Sequence, residues 1–509
     1  MIDPRTPVLV GAGQVTVHWN GEGDAPDPAG LRAQAARAAL ADAGPGVAAI
    51  IDRVVTVRTM ADSVPGAPQP FGRCANPPAT LAADLSLGAA HLVHSAVGGD
   101  QPQALVNEAA AAIHAGDARG VLIAGGEATA ALKTALKRGQ ALDWSRGADG
   151  ALEDRGLGAP LLSDYERANG LGAPVLTYPL FEQALRGRWG LSRGGHAARM
   201  AALWAGYSRI AAANPDSQFP TERGADFLMT PSAENYPVAD PYLKWHVAQD
   251  AVNQAAALVL VSTAEADRLG IAHAARVYLH GHAEVADATP TARPDPSRSR
   301  AMALVLEQAL AASGRRAEEM AAIDLYSCFP CAVLIAAEAL GIDPLAVPTT
   351  VTGGLPFFGG PGNSYSLHAI ATMAARLRAA PGSFGLVLAN GGFLSKQAAG
   401  VYSTSPPAGW VPQSSAALAA AINAEPGPPL VSADCTGRVE SYSVGFDRGV
   451  PARGYVLART GDGGRALARV ARDDAVMLQA LLAHDPLGAP VSIARVEGRN
   501  IVRRLGDAA

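Results

Sequence analysis

Residues able to carry chemistry gather in the second half of the chain. Cys328 and Cys331 form a Cys-x-x-Cys, His368 lies in an apolar helical pattern, and Asn390 precedes a Gly-Gly pair. A thiol beside an imidazole makes a nucleophile–base pair when the side chains meet, and an amide can donate to an oxyanion. The plainer alternatives are that Cys328 packs as a small hydrophobe and that His368 is a core residue of its helix. One Cys pair is too few ligands for structural zinc. A redox dithiol would open a helix, whereas Cys328 reads as the end of an apolar strand and Pro330 divides the pair.

A second kind of group is offered by Gly353–Ile370, GGLPFFGGPGNSYSLHAI. Glycines permit backbone geometries barred to other residues. Asn363 or Ser364 is suited to cap the helix that the pattern predicts from Tyr365 to about Leu377. Such a loop, with its N–H groups and helix start, would receive an anion or a carbonyl oxygen.

The elements that position these residues occur twice. In the first half, a strand at Val8–Val10 reaches Gly11, and Asp27-Pro28 opens a helix stopped by Gly44. Strands follow at Ile50–Val57, at His91–Val97 before Gly98-Gly99, and at Val121–Ala124 before Gly125-Gly126. In the second, Val277–Leu279 reaches Gly281, and Asp295-Pro296 opens a helix from about Arg300 to Ala312 stopped by Gly314. Ile323–Ser327 is a strand, Gly359-Gly360 precedes the helix after Asn363, and Leu386–Ala389 stops at Gly391-Gly392. Five landmarks in one order at a nearly constant offset of about 270 residues mark a duplicated unit. Strands alternating with helices predict parallel sheets with helices packed on them. The Gly98 and Gly359 loops should therefore face one cleft.

Between the halves, residues 127–250 form an insertion long enough to be a cap. After residue 400, a Pro- and Ala-rich run to Pro429 reads as a linker. The order βββαββ from Val431 is that of an OB-type barrel. Hydrophobic residues make up 49% and charged residues 17%, at a net charge of −5, which describes a globular chain and demands no nucleic acid or anionic membrane. The tail holds eleven Arg against nine acids, a weak basic groove for single strands even though Tyr442, Phe446 and Tyr455 could stack on bases. The start lacks the pattern of a signal peptide, no apolar run is long enough to span a membrane, and four scattered cysteines fit a reducing cytoplasm.

The duplicated halves, the insertion, Val121–Gly126 (VLIAGG), the stretch Pro231–Leu260 and the Gly-rich loop together resemble the thiolase superfamily. The likeness is nearest to sterol-carrier-type thiolases and to thiolase-like proteins of actinobacteria, often labelled acetyl-CoA acetyltransferases. It covers about residues 5–400, and the tail resembles the additional C-terminal domain of the type 1 thiolase-like group. The resemblance implies an α/β fold, a duplicated thiolase unit with a layered α-β-α-β-α core, an inserted cap and a small OB-like barrel. It divides the chain into residues 1–126 with 240–270, the cap 127–239, the second half 271–402, a linker 403–430 and the tail 431–509.

The resemblance also implies a nucleophilic Cys at the start of a buried helix, where the helix dipole favours a thiolate. The matching stretch, HSAVGGDQPQAL, has Gly98 there, or Gly99 in a register slipped by one. The family's Gly-His-Pro falls on Gly359-Gly360-Pro361, so its His is Gly360. Its Asn-Glu-Ala-Phe or His-Asp-Cys-Phe falls on Tyr326-Ser327-Cys328-Phe329, and its Cys-x-Gly on Ala389-Asn390-Gly391. The reading is a protein that binds an acyl-CoA thioester without thiolase chemistry. Coenzyme A or acyl-CoA is then a ligand and not a resident cofactor, no metal is called for, and Gly98, Gly99, Tyr326, Gly359, Gly360, Asn363 and Ser364 line the site. The alternatives are an acyltransferase working through Cys328, His368 and Asn390, and nucleic-acid binding through the tail. The expected setting is a cytoplasmic monomer or homodimer, with room for a protein partner in lipid metabolism. Thiolase dimers form through the strand before the nucleophile helix, and His91–Val97 is polar for that role.

Overall fold

The repeat seen in the glycine landmarks is a repeat of topology. The computed structural model describes residues 2–506. The first half contributes β1 (Pro7–Thr16), β2 (Arg53–Thr56), β3 (His91–His94) and β4 (Gly120–Ala128). The insertion adds β5 (Glu153–Asp154) and the hairpin β6 (Pro237–Asp240) and β7 (Tyr242–Leu243) before β8 (Asn253–Ser262) returns to the first half. The second half contributes β9 (Val277–Ala286), β10 (Met320–Leu325), β11 (Phe384–Gly391) and β12 (Lys396–Ser403).

These strands run in the order β10-β11-β12-β9-β1-β8-β4-β2-β3-β5. Outward from the seam between β1 and β9, the runs β1-β8-β4-β2 and β9-β12-β11-β10 are equivalent. Each has an antiparallel strand in second place and a parallel pair at the end. The helices Gln101–Ala115 and Tyr365–Ala379 each touch strands of both halves and pack against one another. The helix Pro28–Ala43 covers the outer face of the first half, and Arg300–Ser313 that of the second. The layers are therefore α-β-α-β-α.

Gly11 and Gly281 do not end strands, as their sequence context suggested. β1 and β9 run straight through them. A Cβ at Gly11 would collide with the Ala39 carbonyl oxygen, and one at Gly281 with that of Ala309. The two glycines let an Ala-rich helix lie directly on each sheet. Asp27 caps the first of these helices, its Oδ1 accepting from Ala29 and Gly30 N–H at 2.9 Å each. The counterpart cap is Ser299, which accepts from Met302 N–H at 3.2 Å, and not Asp295.

β3 lies near the sheet edge and not at its centre, with β5 paired beyond it through Val93–Glu153 and His94–Asp154. The helices Pro174–Arg188 and Arg193–Ala212 of the insertion join the main core. No helix among the described residues is long and apolar enough to cross a membrane.

The tail comprises β13 (Cys435–Asp447), β14 (Val450–Thr460), β15 (Arg465–Arg469), β16 (Pro490–Val496) and β17 (Arg499–Leu505). They close as β13-β14-β15-β17-β16-β13, with β15 and β17 parallel and the helix Ala475–Ala483 between β15 and β16. That is the connectivity of an OB-type barrel. β13 also pairs with β6 through Val444–Asp240 and Gly445–Ala239, so the insertion and the tail share one sheet. Tyr442 is in the barrel core, and Tyr455 is buried with its hydroxyl donating to Gly170 O at 2.6 Å. Neither offers a face for base stacking. The run read as a linker is not bare: Ala416–Asn423 is helical against Arg300–Ser313, and Trp410 is buried with its ring on His282.

Candidate functional site

Three loops converge where the resemblance places the reactive groups. The Gly98-Gly99 loop follows β3, the 326–329 loop follows β10, and Asn390-Gly391 ends β11. A Cβ at Gly99 would collide with the Tyr326 hydroxyl and the Asn390 carbonyl oxygen. The loops are thus in contact, all of them buried at the C-terminal ends of strands.

Position 98 disfavours a side chain, by its backbone angle and by its neighbour. Gly98 has φ +149°, and a Cβ there would overlap Asp100 Oδ1, as would one at Gly391. The Asp100 carboxyl fills the space between the two loops. Its Oδ2 accepts from Gln101 Nε2 at 2.9 Å, while its Oδ1 is buried without a partner. Burial pushes its pKa upward, with Lys396 opposing the shift. The N–H groups of Gly98 and Gly99 donate to no backbone carbonyl among the described residues.

Cys328 and His368 have separate partners. Cys328 Sγ lies 3.8 Å from Asn390 Nδ2, and burial pushes its thiol up to about 12. His368 Nδ1 lies 2.8 Å from Gln14 Oε1, its ring meets Phe358 edge-on, and burial lowers its pKa to about 3. Both groups are neutral through the physiological range, which suits core residues better than a thiolate–imidazolium pair. The Asn390 amide is also engaged: Oδ1 accepts from Gln397 Nε2 at 2.7 Å, and Nδ2 donates to the Tyr178 hydroxyl at 3.1 Å. Ala389 is fully buried in β11.

The Cys-x-x-Cys does not end a strand. β10 stops at Leu325, and Pro330 opens the helix Pro330–Leu340 with Cys331 in its first turn. The Cys331 N–H donates to Glu182 Oε2 at 2.7 Å, which also accepts from the Tyr242 hydroxyl at 2.7 Å. Glu182 thus serves as a cap reaching in from the insertion. Burial raises the Cys331 thiol well above its usual range, so neither cysteine is a thiolate.

The Gly-rich loop is fastened from within. Gly360 N–H donates to Gln249 O at 2.8 Å, Gly362 N–H to Gly360 O at 2.8 Å, and Ser364 N–H to Pro361 O at 3.0 Å. Neither expected cap forms. Ser364 Oγ donates to Pro361 O at 2.7 Å, and Asn363 Nδ2 donates to Arg58 O at 2.8 Å and Ser63 Oγ at 2.9 Å. Asn363 thereby ties the second half to the first. A Cβ at Gly360 would meet Gln249 O at 3.3 Å, so that position is tight but not closed. Gly359 lies beside Gln254 and Val252.

Asp100, Tyr178 and Gln397 belong to this site and were not singled out in the sequence. An acid directly after Gly-Gly at a helix start was the available signal for Asp100. Tyr178 comes from the insertion, and nothing local announces it.

Comparison with known proteins agrees with this architecture. The family model for the thiolase-like protein type 1 additional C-terminal domain matches residues 417–497. A search of curated proteins gives no match. The crystal structure of a monomeric SCP2-thiolase-like protein type 1 from Mycobacterium smegmatis is 36% identical with a TM-score of 0.84, covering 99% of this chain and 100% of that one. An acetyl-CoA acetyltransferase from Syntrophomonas wolfei has 16% identity and a TM-score of 0.57, covering 80% of this chain and 100% of that one. The dimeric peroxisomal thiolase of Saccharomyces cerevisiae has 15% identity and a TM-score of 0.58, covering 80% of this chain and 99% of that one. The last two share the fold alone. The full-length match and the tail together place the chain in a family: it belongs to the SCP2-thiolase-like proteins of type 1.

Proposed function

We propose that this protein binds an acyl-CoA thioester at the loops around Gly98 and Gly359 and performs no chemistry through a covalent cysteine. The observation that carries the reading is the Asp100 carboxyl lying where a side chain at position 98 would have to go. Thiolysis and Claisen condensation need a nucleophile at that helix start, and Gly98 supplies only an N–H. Backbone donors at Gly98 and Gly99 favour a carbonyl oxygen as their ligand. The test is to measure thermal stabilisation by coenzyme A and acyl-CoAs beside thiol release from acetyl- and acetoacetyl-CoA. Stabilisation without release is expected. Release that is lost in Cys328→Ala would overturn the reading without a covalent cysteine, release that survives both Cys328→Ala and His368→Ala would rule out those two residues as its source, and the absence of any stabilisation would overturn binding.

One observation favours a second reading, an acyl-CoA-transforming activity with non-standard residues. Asp100 Oδ1 is buried and unpartnered beside the Gly98 loop, which is the placement of a general base or acid. Exchange of the acyl α-hydrogen for deuterium in heavy water, lost in Asp100→Asn, is the result that reading requires. The monomer is the state this reading adopts, since β5 occupies part of the β3 edge through which thiolase dimers would pair. Sedimentation checks it.

A further inference from the structure

A pocket lies beside the first helix, and none of residues 98–100, 326–331, 359–364 or 390 lines it. Its walls include Arg32, Phe71, Cys74, Glu127, Leu132 and Trp144, around a cavity of about 70 Å³. That is several times the space one ordered water needs.

Arg32 is the unusual member. The residue is 2% exposed, and its Nε and Nη1 have no hydrogen-bond partner. A guanidinium keeps its proton in a protein, and a buried charge without a partner is destabilising. The acids nearby are already engaged. Asp27 Oδ1 caps the first helix, Glu127 Oε1 accepts from Met60 N–H at 2.7 Å, and Asp62 Oδ2 accepts from Thr59 Oγ1 at 2.9 Å. Part of the lining is apolar, with Phe71 and Trp144 edge-to-face at 5.5 Å between centroids.

We propose that this pocket binds a small organic carboxylate with an apolar body, its anionic end on Arg32 and its body against Phe71, Trp144 and Leu132. A planar guanidinium matches a carboxylate. The surrounding acids repel any anion, and a dianion such as phosphate about twice as strongly as a singly charged carboxylate, so the single charge is the better match. The proposal does not rest on acyl-CoA binding at the Gly98 loop, although Glu127 of the pocket wall adjoins Gly362 of the Gly-rich loop.

Cys74 makes the test direct, because it lines the pocket and is partly exposed, while Cys435, also partly exposed, lies in the tail. Alkylation by iodoacetamide is followed at both cysteines by peptide mass spectrometry, with hexanoate, benzoate or inorganic phosphate added to the full-length protein. A bound carboxylate at ten times its Kd should slow Cys74 alkylation about tenfold and raise the melting temperature, leaving Cys435 unchanged. Arg32→Met should abolish the protection. Leu132→Trp, which fills the pocket and leaves the charge in place, should abolish it too and serves should Arg32→Met fail to fold. Equal protection by phosphate, no protection by either carboxylate, or protection that survives both substitutions would overturn the proposal.

Discussion

The Asp100 carboxyl occupies the space that any side chain on Gly98 would need. The two residues exclude each other's alternatives: with Asp100 in this place, position 98 must be glycine. Gly98→Cys alone should lower unfolding stability by about 2 kcal/mol or more, from overpacking and from φ +149°. Combining it with Asp100→Ala should recover part of that loss, so the two changes are strongly non-additive. Urea unfolding of the two single variants and the double variant measures the coupling. Simple additivity would show that the carboxyl does not block the site.

Two buried groups give stability opposite dependences on pH. Burial raises Glu127 to about 7 from 4.5. The folded state therefore holds a proton that the unfolded state releases, and the stability from it is present below pH 4.5 and lost as pH rises to about 7. That window is worth on the order of 3 kcal/mol. His368 is lowered to about 3 from 6.5, so its contribution is present above pH 6.5 and is lost as pH falls. Glu127→Gln should flatten the unfolding free energy between pH 5 and 7. His368→Gln should flatten it below pH 6.5. Denaturant titrations across pH 4.5–8 read both effects.

The glycines on β1 and β9 should behave as a matched pair. Gly11→Ala and Gly281→Ala each drive a methyl into a helix carbonyl, that of Ala39 or Ala309. Each should lower stability by about 1–3 kcal/mol by overpacking. Gly44→Ala and Gly314→Ala, at positive φ with no neighbour near the added methyl, should lower it by about 1 kcal/mol through backbone strain alone. Thermal denaturation of the four variants distinguishes close packing from conformational strain.

The barrel is held to the thiolase-fold body by a buried arginine. Arg465 is fully buried, pairs with Glu440 at 2.7 Å, and donates to the carbonyls of Thr291 and Pro294 in the second half at 2.9 and 3.2 Å. Arg465→Met should cost about 3 kcal/mol, since it leaves several buried carbonyls without their donor and Glu440 with Arg459 alone. Limited proteolysis within residues 403–430 should quicken in parallel. An unchanged cleavage rate would mean that the docking rests on the other contacts, such as Arg186 with Asp485.

Much of this architecture was legible because it is written twice. Recurring glycines, caps and strands revealed the duplication, and the order of elements in the tail announced its barrel. What stayed hidden has physical causes. The helix Pro330–Leu340 is apolar on nearly every face, because it is buried almost throughout, and such a helix shows no amphipathic period. Gly11 and Gly281 read as stops because a sequence does not distinguish a glycine that ends a strand from one that admits a helix. At the site, the missing side chain at position 98 was visible, but its cause was not. Asp100 acquires meaning only from the backbone angle at Gly98 and from Gly391 across the fold. Cys328 and His368 invited pairing by residue type, and burial beside different partners separates them.

The pairing of β6 with β13 sets a schedule for synthesis on the ribosome. Asp240 and Ala239 find their strand partners in Val444 and Gly445. At translation rates of about 5–20 residues per second, the β6 edge waits on the order of 10–40 s for that partner to emerge. During that interval the insertion carries an unsatisfied strand edge on a nascent chain. The sheet shared by the insertion and the tail is therefore complete only after Val444 and Gly445 have left the exit tunnel.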